Sequence, residues 1–306
     1  MPLPFEHLTS AQQLSKEVVA SVFAVADDME KIWSSGKRSK LLEDKIIALL
    51  FYEPSSRTML SFQAAVQGLS AGMELAHGRQ NSSMAKGESI EDTIRMVARY
   101  SDLIVMRHPE AGSADKAASV SHVPFINAGD GANEHPTQCL LDLYTIQKEK
   151  GSLNGLHVAF ACDPLQSRTI RSLALGLSQY DDIRFTFISP ESLKASKDML
   201  DVFDDRGVAY EETTELSAGI DADILYMNRL QEERFNDHKE FEKYRDQYVL
   251  TADMLKGKDT LIMDPLPRID EIATDVDDLP NAVYFDQARN GVLVRMALMA
   301  MLLGKA

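Results

Sequence analysis

Short runs of apolar residues recur along the chain and are bounded by polar turns. An unbroken apolar run of this length is typical of a strand buried on both faces of a parallel sheet, whereas a half-exposed strand alternates. We therefore predict strands at residues 46–51, 103–106, 158–161, 185–188, 224–227 and 261–263.

Between most of these runs, apolar residues recur with the helical spacing of three and four. The first such segment, residues 9–36, begins with a Ser10–Gln13 capping box. The others are residues 58–69, 91–100, 136–150, 169–177 and 196–203. Residues 292–303 are apolar almost all round, which predicts a buried terminal helix. The alternation predicts an α/β fold, with a candidate domain junction at the polar turn 152–155.

Composition narrows the class of protein. With 306 residues, 44% of them hydrophobic, the chain is long enough for two ordinary domains. The formal charge of −15 argues against nucleic acid or an anionic membrane as a partner, so cations must cluster locally to hold an anionic substrate. No stretch approaches the roughly 18 apolar residues of a membrane span, and the start lacks a signal pattern, which predicts a soluble, cytoplasmic protein. Cys139 and Cys162 lack metal-ligand spacing, so we expect reduced, buried thiols and no metal.

Four residues suited to phosphate follow the first predicted strand. Ser55, Ser56, Arg57 and Thr58 stand where that strand ends and a helix begins. Unpaired N–H groups at a helix start, hydroxyl donors and a guanidinium all favour a phosphate ligand. The alternative is a plain N-cap, for which serine and threonine are preferred anyway.

Two further polar motifs follow along the chain. Arg107 and His108 end the next strong strand, where parallel α/β sheets bind ligands; the alternative is a surface arginine. Residues 127–138 form a Gly/Asn-rich loop entering a helix, with Pro136 in its first turn. His135 and Gln138 are three apart and so point the same way, although a histidine at a helix start is often only a cap or solvated.

Taken in order, residues 55–58, 107–108, 135–138 and 264–268 (Asp-Pro-Leu-Pro-Arg) resemble the motifs of the transcarbamoylases, and the resemblance covers essentially the whole chain. It implies two doubly wound parallel-sheet domains, with the C-terminal helix packing back on the N-terminal domain. The implied domains are residues 1–135, completed by helix 290–306, for carbamoyl phosphate, and residues 136–289 for aspartate.

The resemblance also implies roles for individual residues. Phosphate would be bound by Ser55, Ser56, Arg57, Thr58 and Arg107, and the carbonyl oxygen polarised by Thr58, Arg107 and His135. Gln138 and the backbone carbonyls of Leu266 and Pro267 would accept the amide hydrogens. Ser82 and Lys86 resemble residues that reach into a neighbouring subunit's site, which implies a homotrimer with shared sites and leaves room for separate regulatory chains. Arg57, Thr58, Arg107, His135 and Lys86 are thus the candidate catalytic residues.

The acceptor substrate is indicated by arginines. The two carboxylates of aspartate call for guanidinium partners. The resemblance implies that Arg168 binds the α-carboxylate and that Arg229 and Gln231, helped by Lys86, bind the β-carboxylate. The ornithine branch should carry a Ser-Met-Gly motif and a cysteine before Leu-Pro, but Pro265 stands there. The resemblance therefore implies transfer of a carbamoyl group to L-aspartate, giving N-carbamoyl-L-aspartate and phosphate for pyrimidine biosynthesis, without a cofactor.

Some positions depart from the family pattern. Asp264 stands where histidine is usual and Arg289 where glycine is common, and we hypothesise that these two side chains pair. Glu53, Glu233 and Arg234 are expected to form ion pairs of a closed state. The alternatives are a transcarbamoylase for another amino acid and a weakly active paralogue that serves as a binding subunit. A nucleotide-binding Rossmann protein is disfavoured because no G-x-G-x-x-G follows a strand.

Overall fold

The computed structural model describes residues 3–78, 83–230 and 238–306. It divides into two compact units, one of Met1–Tyr144 with Ala288–Ala306 and one of Thr145–Gln287. The chain passes between the units within helices Pro136–Lys150 and Tyr284–Leu302. The first segment of unit one ends at Tyr144, nine residues after the boundary predicted at 135, and unit two ends at Gln287, two residues before the one predicted at 289.

The first unit is built on a parallel sheet with the strand order β1-β5-β4-β2-β3. Its strands are β1 (His7–Leu8), β2 (Ile46–Phe51), β3 (Gly72–His77), β4 (Leu103–His108) and β5 (Phe125–Asp130). Its helices are α1 (Lys16–Ser34), α2 (Ser56–Gly68), α3 (Ile90–Val97), α4 (Ser113–Ala118) and α5 (Pro136–Lys150), the last continuing into the second unit.

A second parallel sheet, with the order β10-β9-β6-β7-β8, forms the other unit. Its strands are β6 (His157–Ala161), β7 (Arg184–Ile188), β8 (Ala209–Thr213), β9 (Ile224–Tyr226) and β10 (Leu261–Met263). The helices here are α6 (Arg168–Leu177), α7 (Lys197–Arg206) and α8 (His238–Arg245), and α9 (Tyr284–Leu302) begins here.

Each sheet is buried by helices that carry apolar residues toward it. In β2 every residue after Ile46 is buried, and β4 is buried throughout, as the unbroken apolar runs predict. The terminal helix α9 packs on the first unit: a Cβ on Gly68, at the end of α2, would meet the Met296 side chain at 3.2 Å. These features confirm the predicted fold class. Within the described residues no helix is long and apolar enough to cross a membrane.

Three local predictions need correction. Residues 127–130 do not form a loop but are the end of β5. Side chains stabilise this irregular part of the strand: Asn127 donates to Asp130 Oδ1 and accepts a hydrogen bond from the Gly129 backbone N–H. The Ser10–Gln13 capping box is present, yet it caps a short 3₁₀ helix, and α1 begins only after Ser15. The strands β3 and β8 were not predicted because both are largely exposed edge strands without an apolar run.

Candidate active site

The helix α2 begins directly after β2, and its first residues remain accessible. Ser55 is the N-cap residue, but its hydroxyl makes no side-chain capping hydrogen bond. Ser56 and Arg57 are exposed, while Thr58 is buried in the first turn. The plain N-cap interpretation is therefore not supported, and the N–H groups of a helix start, which have no partner within the helix, suit an anion.

Arg107 is the centre of the polar contacts in this sheet edge. Its side chain is only 7% exposed at the end of β4. One terminal nitrogen, Nη2, lies 2.9 Å from Glu53 Oε2, and Nη1 donates to the Ala128 carbonyl at 3.3 Å. Nη1 also lies 3.5 Å from His135 Nε2. A buried guanidinium thus joins the segments that follow β2 and β5, so the surface-arginine alternative is wrong.

A change of register beside Arg107 shapes this edge. Met106 pairs with Asn127 and His108 with Asp130, so β5 contains one more residue than β4 over this stretch. The extra residue brings the Ala128 carbonyl to Arg107. Asp130 then accepts hydrogen bonds from the backbone N–H groups of Gly112 (2.9 Å) and Glu134 (3.1 Å), which fixes the loop before α5.

His135 and Gln138 stand at the start of α5 and are both buried. The His135 carbonyl accepts hydrogen bonds from the backbone of Gln138 and Cys139, so His135 forms the beginning of the helix. Since a guanidinium can only donate, the contact with Arg107 makes Nε2 the accepting nitrogen. Gln138 Nε2 donates to Asp142 Oδ1 at 2.8 Å, one helical turn further on. The structure therefore brings Arg107, His135 and the start of α5 together as predicted.

In the second unit, Arg168 and Arg229 lie at the carboxyl edge of the adjacent strands β6 and β9. Arg168 is the first residue of α6, between Ser167 and Thr169. Asn228 Nδ2 donates to the hydroxyls of both neighbours, at 2.6 and 3.1 Å. Because Asn228 precedes Arg229, these bonds hold the chain segments of the two arginines together. Sequence reasoning did not identify Asn228, a buried amide directly after an apolar strand.

The loop after β10 carries Leu266 and Pro267, joined by a cis peptide bond. The Asp264 carboxylate accepts a hydrogen bond from the Leu266 backbone N–H, so this aspartate shapes its own loop. Arg268 anchors the far end by donating to Asp277 Oδ2 at 3.0 Å. The Arg289 guanidinium has a different carboxylate, Glu30 Oε1 at 3.1 Å, and its hypothesised pairing with Asp264 is not what the structure describes.

The remaining predicted residues are less informative. Lys86 is exposed at the end of a short 3₁₀ helix in the first unit. Ser82, Gln231, Glu233 and Arg234 lie outside the described residues. Glu53 does form an ion pair, with Arg107 of its own unit. Neither cysteine forms a disulfide, both are buried, and burial raises the pKa of each thiol well above its usual value. Among the described residues no cluster of three or more histidine, cysteine or carboxylate side chains could hold a metal ion.

Parallel α/β units with cationic side chains at the carboxyl edges of their strands are typical of proteins that bind anionic ligands there. Two family models match the chain. Residues 6–148 match the carbamoyl-phosphate-binding domain of aspartate/ornithine carbamoyltransferases, and residues 154–302 match their aspartate/ornithine-binding domain. The chain belongs to the aspartate/ornithine carbamoyltransferase family.

Individual relatives point to one branch of this family. The chloroplastic aspartate carbamoyltransferase of Arabidopsis thaliana is 46% identical over 297 residues, which cover 95% of this chain and 76% of the relative. The catalytic subunit of aspartate transcarbamoylase from Methanocaldococcus jannaschii superposes with a TM-score of 0.94 at 43% identity, covering 98% of each chain. The enzyme from Trypanosoma cruzi, in complex with carbamoyl phosphate and aspartate, superposes with a TM-score of 0.90 at 35% identity, covering 97% of this chain and 95% of its own.

Proposed function

We propose that this chain transfers the carbamoyl group of carbamoyl phosphate to the amine of L-aspartate, giving N-carbamoyl-L-aspartate and phosphate. The observation that carries the proposal is the joining of Arg107, His135 and the starts of α2 and α5 at one sheet edge. The Trypanosoma cruzi relative, which binds carbamoyl phosphate and aspartate, supports the same pair of substrates for this chain.

The donor would be held by the first unit. The start of α2, with Ser55, Ser56, Arg57 and Thr58, and the guanidinium of Arg107 would bind the phosphate. Thr58, Arg107 and His135 would polarise the carbonyl oxygen. Gln138, with the backbone carbonyls of Leu266 and Pro267, would accept the hydrogens of the carbamoyl amide.

The acceptor would be held by arginines of the second unit. Arg168 would bind the α-carboxylate of aspartate, and Arg229, with Gln231 and Lys86, the β-carboxylate. The uncharged α-amine then attacks the carbonyl carbon, a tetrahedral oxyanion forms, and the C–O bond to phosphate breaks as phosphate leaves with the amine proton. Donors in place before the reaction stabilise the oxyanion, and one such donor contributes about 3 to 4 kcal/mol. Every step is met by orientation and cationic groups of the chain, so the proposal assigns no cofactor.

The proposed assembly is a cytoplasmic homotrimer in which Ser82 and Lys86 complete the site of a neighbouring subunit, with separate regulatory chains as further partners. Lys86 is exposed in the single chain, which agrees with a role in another subunit's site. The reaction product is a precursor of the pyrimidine ring, so the chain would serve pyrimidine biosynthesis.

The test is product formation by the purified protein supplied with carbamoyl phosphate and either aspartate or ornithine. We expect carbamoyl-aspartate and no citrulline, and tight binding of a mimic that joins a phosphonate to aspartate. Arg57→Ala should almost abolish turnover, while Arg95→Ala, which removes an exposed arginine paired with Asp92, should not. Citrulline formation would identify another acceptor. Binding of the mimic without turnover would indicate a binding subunit, and near-normal turnover of folded Arg57→Ala would contradict the proposed site.

A further inference from the structure

A buried charge stands behind the donor site, on the terminal helix. Arg295 is 3% exposed and lies in the otherwise apolar part of α9. Its Nη1 donates to Ser61 Oγ at 2.6 Å, and its guanidinium carbon lies 5.0 Å from the centre of the Phe62 ring. Both contacts are on α2, one turn after Thr58, so Arg295 fixes the helix whose start is proposed to bind phosphate.

The charge of the same arginine interacts with that of a buried carboxylate on α5, Asp142. Burial lowers the pKa of Arg295 to about 10, and the Asp142 carboxylate is the charge that opposes this shift. Arg295 is therefore still a cation at neutral pH, and Asp142, which is fully buried, has a counter-charge close by. Both groups belong to the first unit.

Gly291 makes room for this arrangement. A Cβ at that position would lie 2.6 Å from Arg295 Nη1 and 3.0 Å from Leu141 Cδ2. Gly291 is one helical turn before Arg295, so the guanidinium folds back along α9 over the space that a side chain would fill. Glycine at this position is explained by close packing between α9 and α5.

Asp142 in turn decides how the Gln138 amide is oriented. An ionised carboxylate only accepts hydrogen bonds, so the bond of 2.8 Å to Asp142 Oδ1 requires the NH₂ group of Gln138. The amide oxygen is then on the other arm of the planar group, and among the described residues no donor satisfies it. A glutamine held in this way presents its amide oxygen, an acceptor, to a bound substrate, while its NH₂ group is bonded to Asp142.

We propose that Asp142, whose negative charge is opposed by that of buried Arg295, is a positioning residue that makes the donor site selective for a carbamoyl group. The fixed Gln138 oxygen accepts a hydrogen bond from the carbamoyl NH₂. It has nothing to offer the methyl group of acetyl phosphate, which has the same shape and carries the same phosphate. This inference rests on the proposed function, because it assigns Gln138 to the carbamoyl amide.

The test compares the two acyl phosphates in Asp142→Asn. The asparagine amide can also donate a hydrogen bond, so it allows the Gln138 amide to rotate and exchange its oxygen and NH₂ group. We expect kcat/KM for carbamoyl phosphate to fall about 10- to 100-fold, and the inhibition constant of acetyl phosphate to change less than about threefold, because only the former loses a hydrogen bond. An equal change in both constants, or an unchanged kcat/KM, would overturn the proposal. Gly291→Ala displaces the Arg295 guanidinium and should shift the selectivity between the two acyl phosphates in the same direction. This variant replaces Asp142→Asn if the latter does not fold. Unchanged selectivity in Gly291→Ala would also overturn the proposal.

The matched control is Tyr144→Phe on the same helix. It removes the hydrogen bond of 2.8 Å from the Tyr144 hydroxyl to Asp27 Oδ1 without touching Asp142 or Gln138. It should lower Tm and leave the ratio of the two constants unchanged. Wild-type protein that makes no carbamoyl-aspartate would contradict the proposed function itself; calorimetric binding of the two acyl phosphates to wild type and Asp142→Asn would still decide the positioning role.

Discussion

Single polar side chains in this protein act through the direction of the hydrogen bonds that they make. Arg107 can only donate, so it makes His135 Nε2 an acceptor, and Asp142 can only accept, so it turns the Gln138 amide. A lysine in place of Arg107 would lack the planar fork that reaches Glu53 and the Ala128 carbonyl at once. At the residue scale, then, Arg107 and Asp142 set the hydrogen-bonding direction of two side chains in the site proposed for the donor.

The same logic applies to His157, away from the site. Arg184 Nη2 lies 3.0 Å from its Nδ1, which must therefore accept, and Nε2 donates to Thr186 Oγ1 at 2.7 Å. The Thr186 hydroxyl in turn donates a hydrogen bond to Glu211 Oε1 at 2.8 Å. Burial, followed by the charge of Arg184, lowers the pKa of His157. The neutral imidazole is thus the form that fits the folded sheet.

We expect His157 to weaken the protein in mild acid. The pKa of His157 in the folded protein is below the unfolded value of 6.5. The stability that the neutral imidazole contributes is therefore fully present above pH 6.5, and the unfolding free energy decreases as the pH falls from 6.5 toward the folded pKa. His157→Gln should flatten this part of the stability curve, measured by urea unfolding from pH 7.5 down to 5. The exposed His122→Gln is the control and should keep the wild-type slope. Parallel curves for His157→Gln and wild type would contradict this role.

At the scale of elements, the sequence predicts what local pattern encodes. The bounds of β2 and β10 agree with their apolar runs, and α5 begins at the expected Pro136. The edge strand β8 was not predicted because it contains two charged residues and is largely exposed. Pairings such as Arg107 with Glu53, or Arg295 with Ser61, join distant parts of the chain, and no local periodicity encodes them. The lone arginine in the apolar run of α9 is a local signal for a buried charge, but no prediction was drawn from it.

The loop between β5 and α5 depends on a close backbone approach. Gly131 has φ +55, and a Cβ there would meet the Ala111 nitrogen and the Pro109 carbonyl oxygen, both at 2.8 Å. Gly131→Ala should lower Tm by several degrees, as a loss of about 1 to 3 kcal/mol does, and raise KM for carbamoyl phosphate because His135 ends this loop. Gly36→Ala is the matched control, since φ there is +70 but no atom lies within 4 Å. Equal effects of the two substitutions on Tm and KM would show that the close contact is unimportant.

At the scale of the whole molecule, cations are concentrated where the anions are proposed to bind. The chain has 32 basic and 47 acidic residues, yet Arg57 and Arg107 stand at one sheet edge and Arg168 and Arg229 at the other. Such local clusters attract small anions although the net charge would repel them. Lys86 lies on an exposed segment of the first unit, which agrees with its proposed role in the site of a neighbouring subunit.

The shared sites of the proposed homotrimer make a quantitative prediction for mixed assemblies. Arg57→Ala and Lys86→Ala should each inactivate the homotrimer, but a chain with Lys86→Ala keeps Arg57 and a neighbour with Arg57→Ala keeps Lys86. After dissociation and reassembly of an equal mixture, a random trimer has both groups intact at about one site in four, so activity should recover to about a quarter of wild type. Mass measurement must confirm mixed trimers. If mixed trimers form and activity does not return, Lys86 does not act across a subunit boundary. If Lys86→Ala alone is fully active, it has no part in the site.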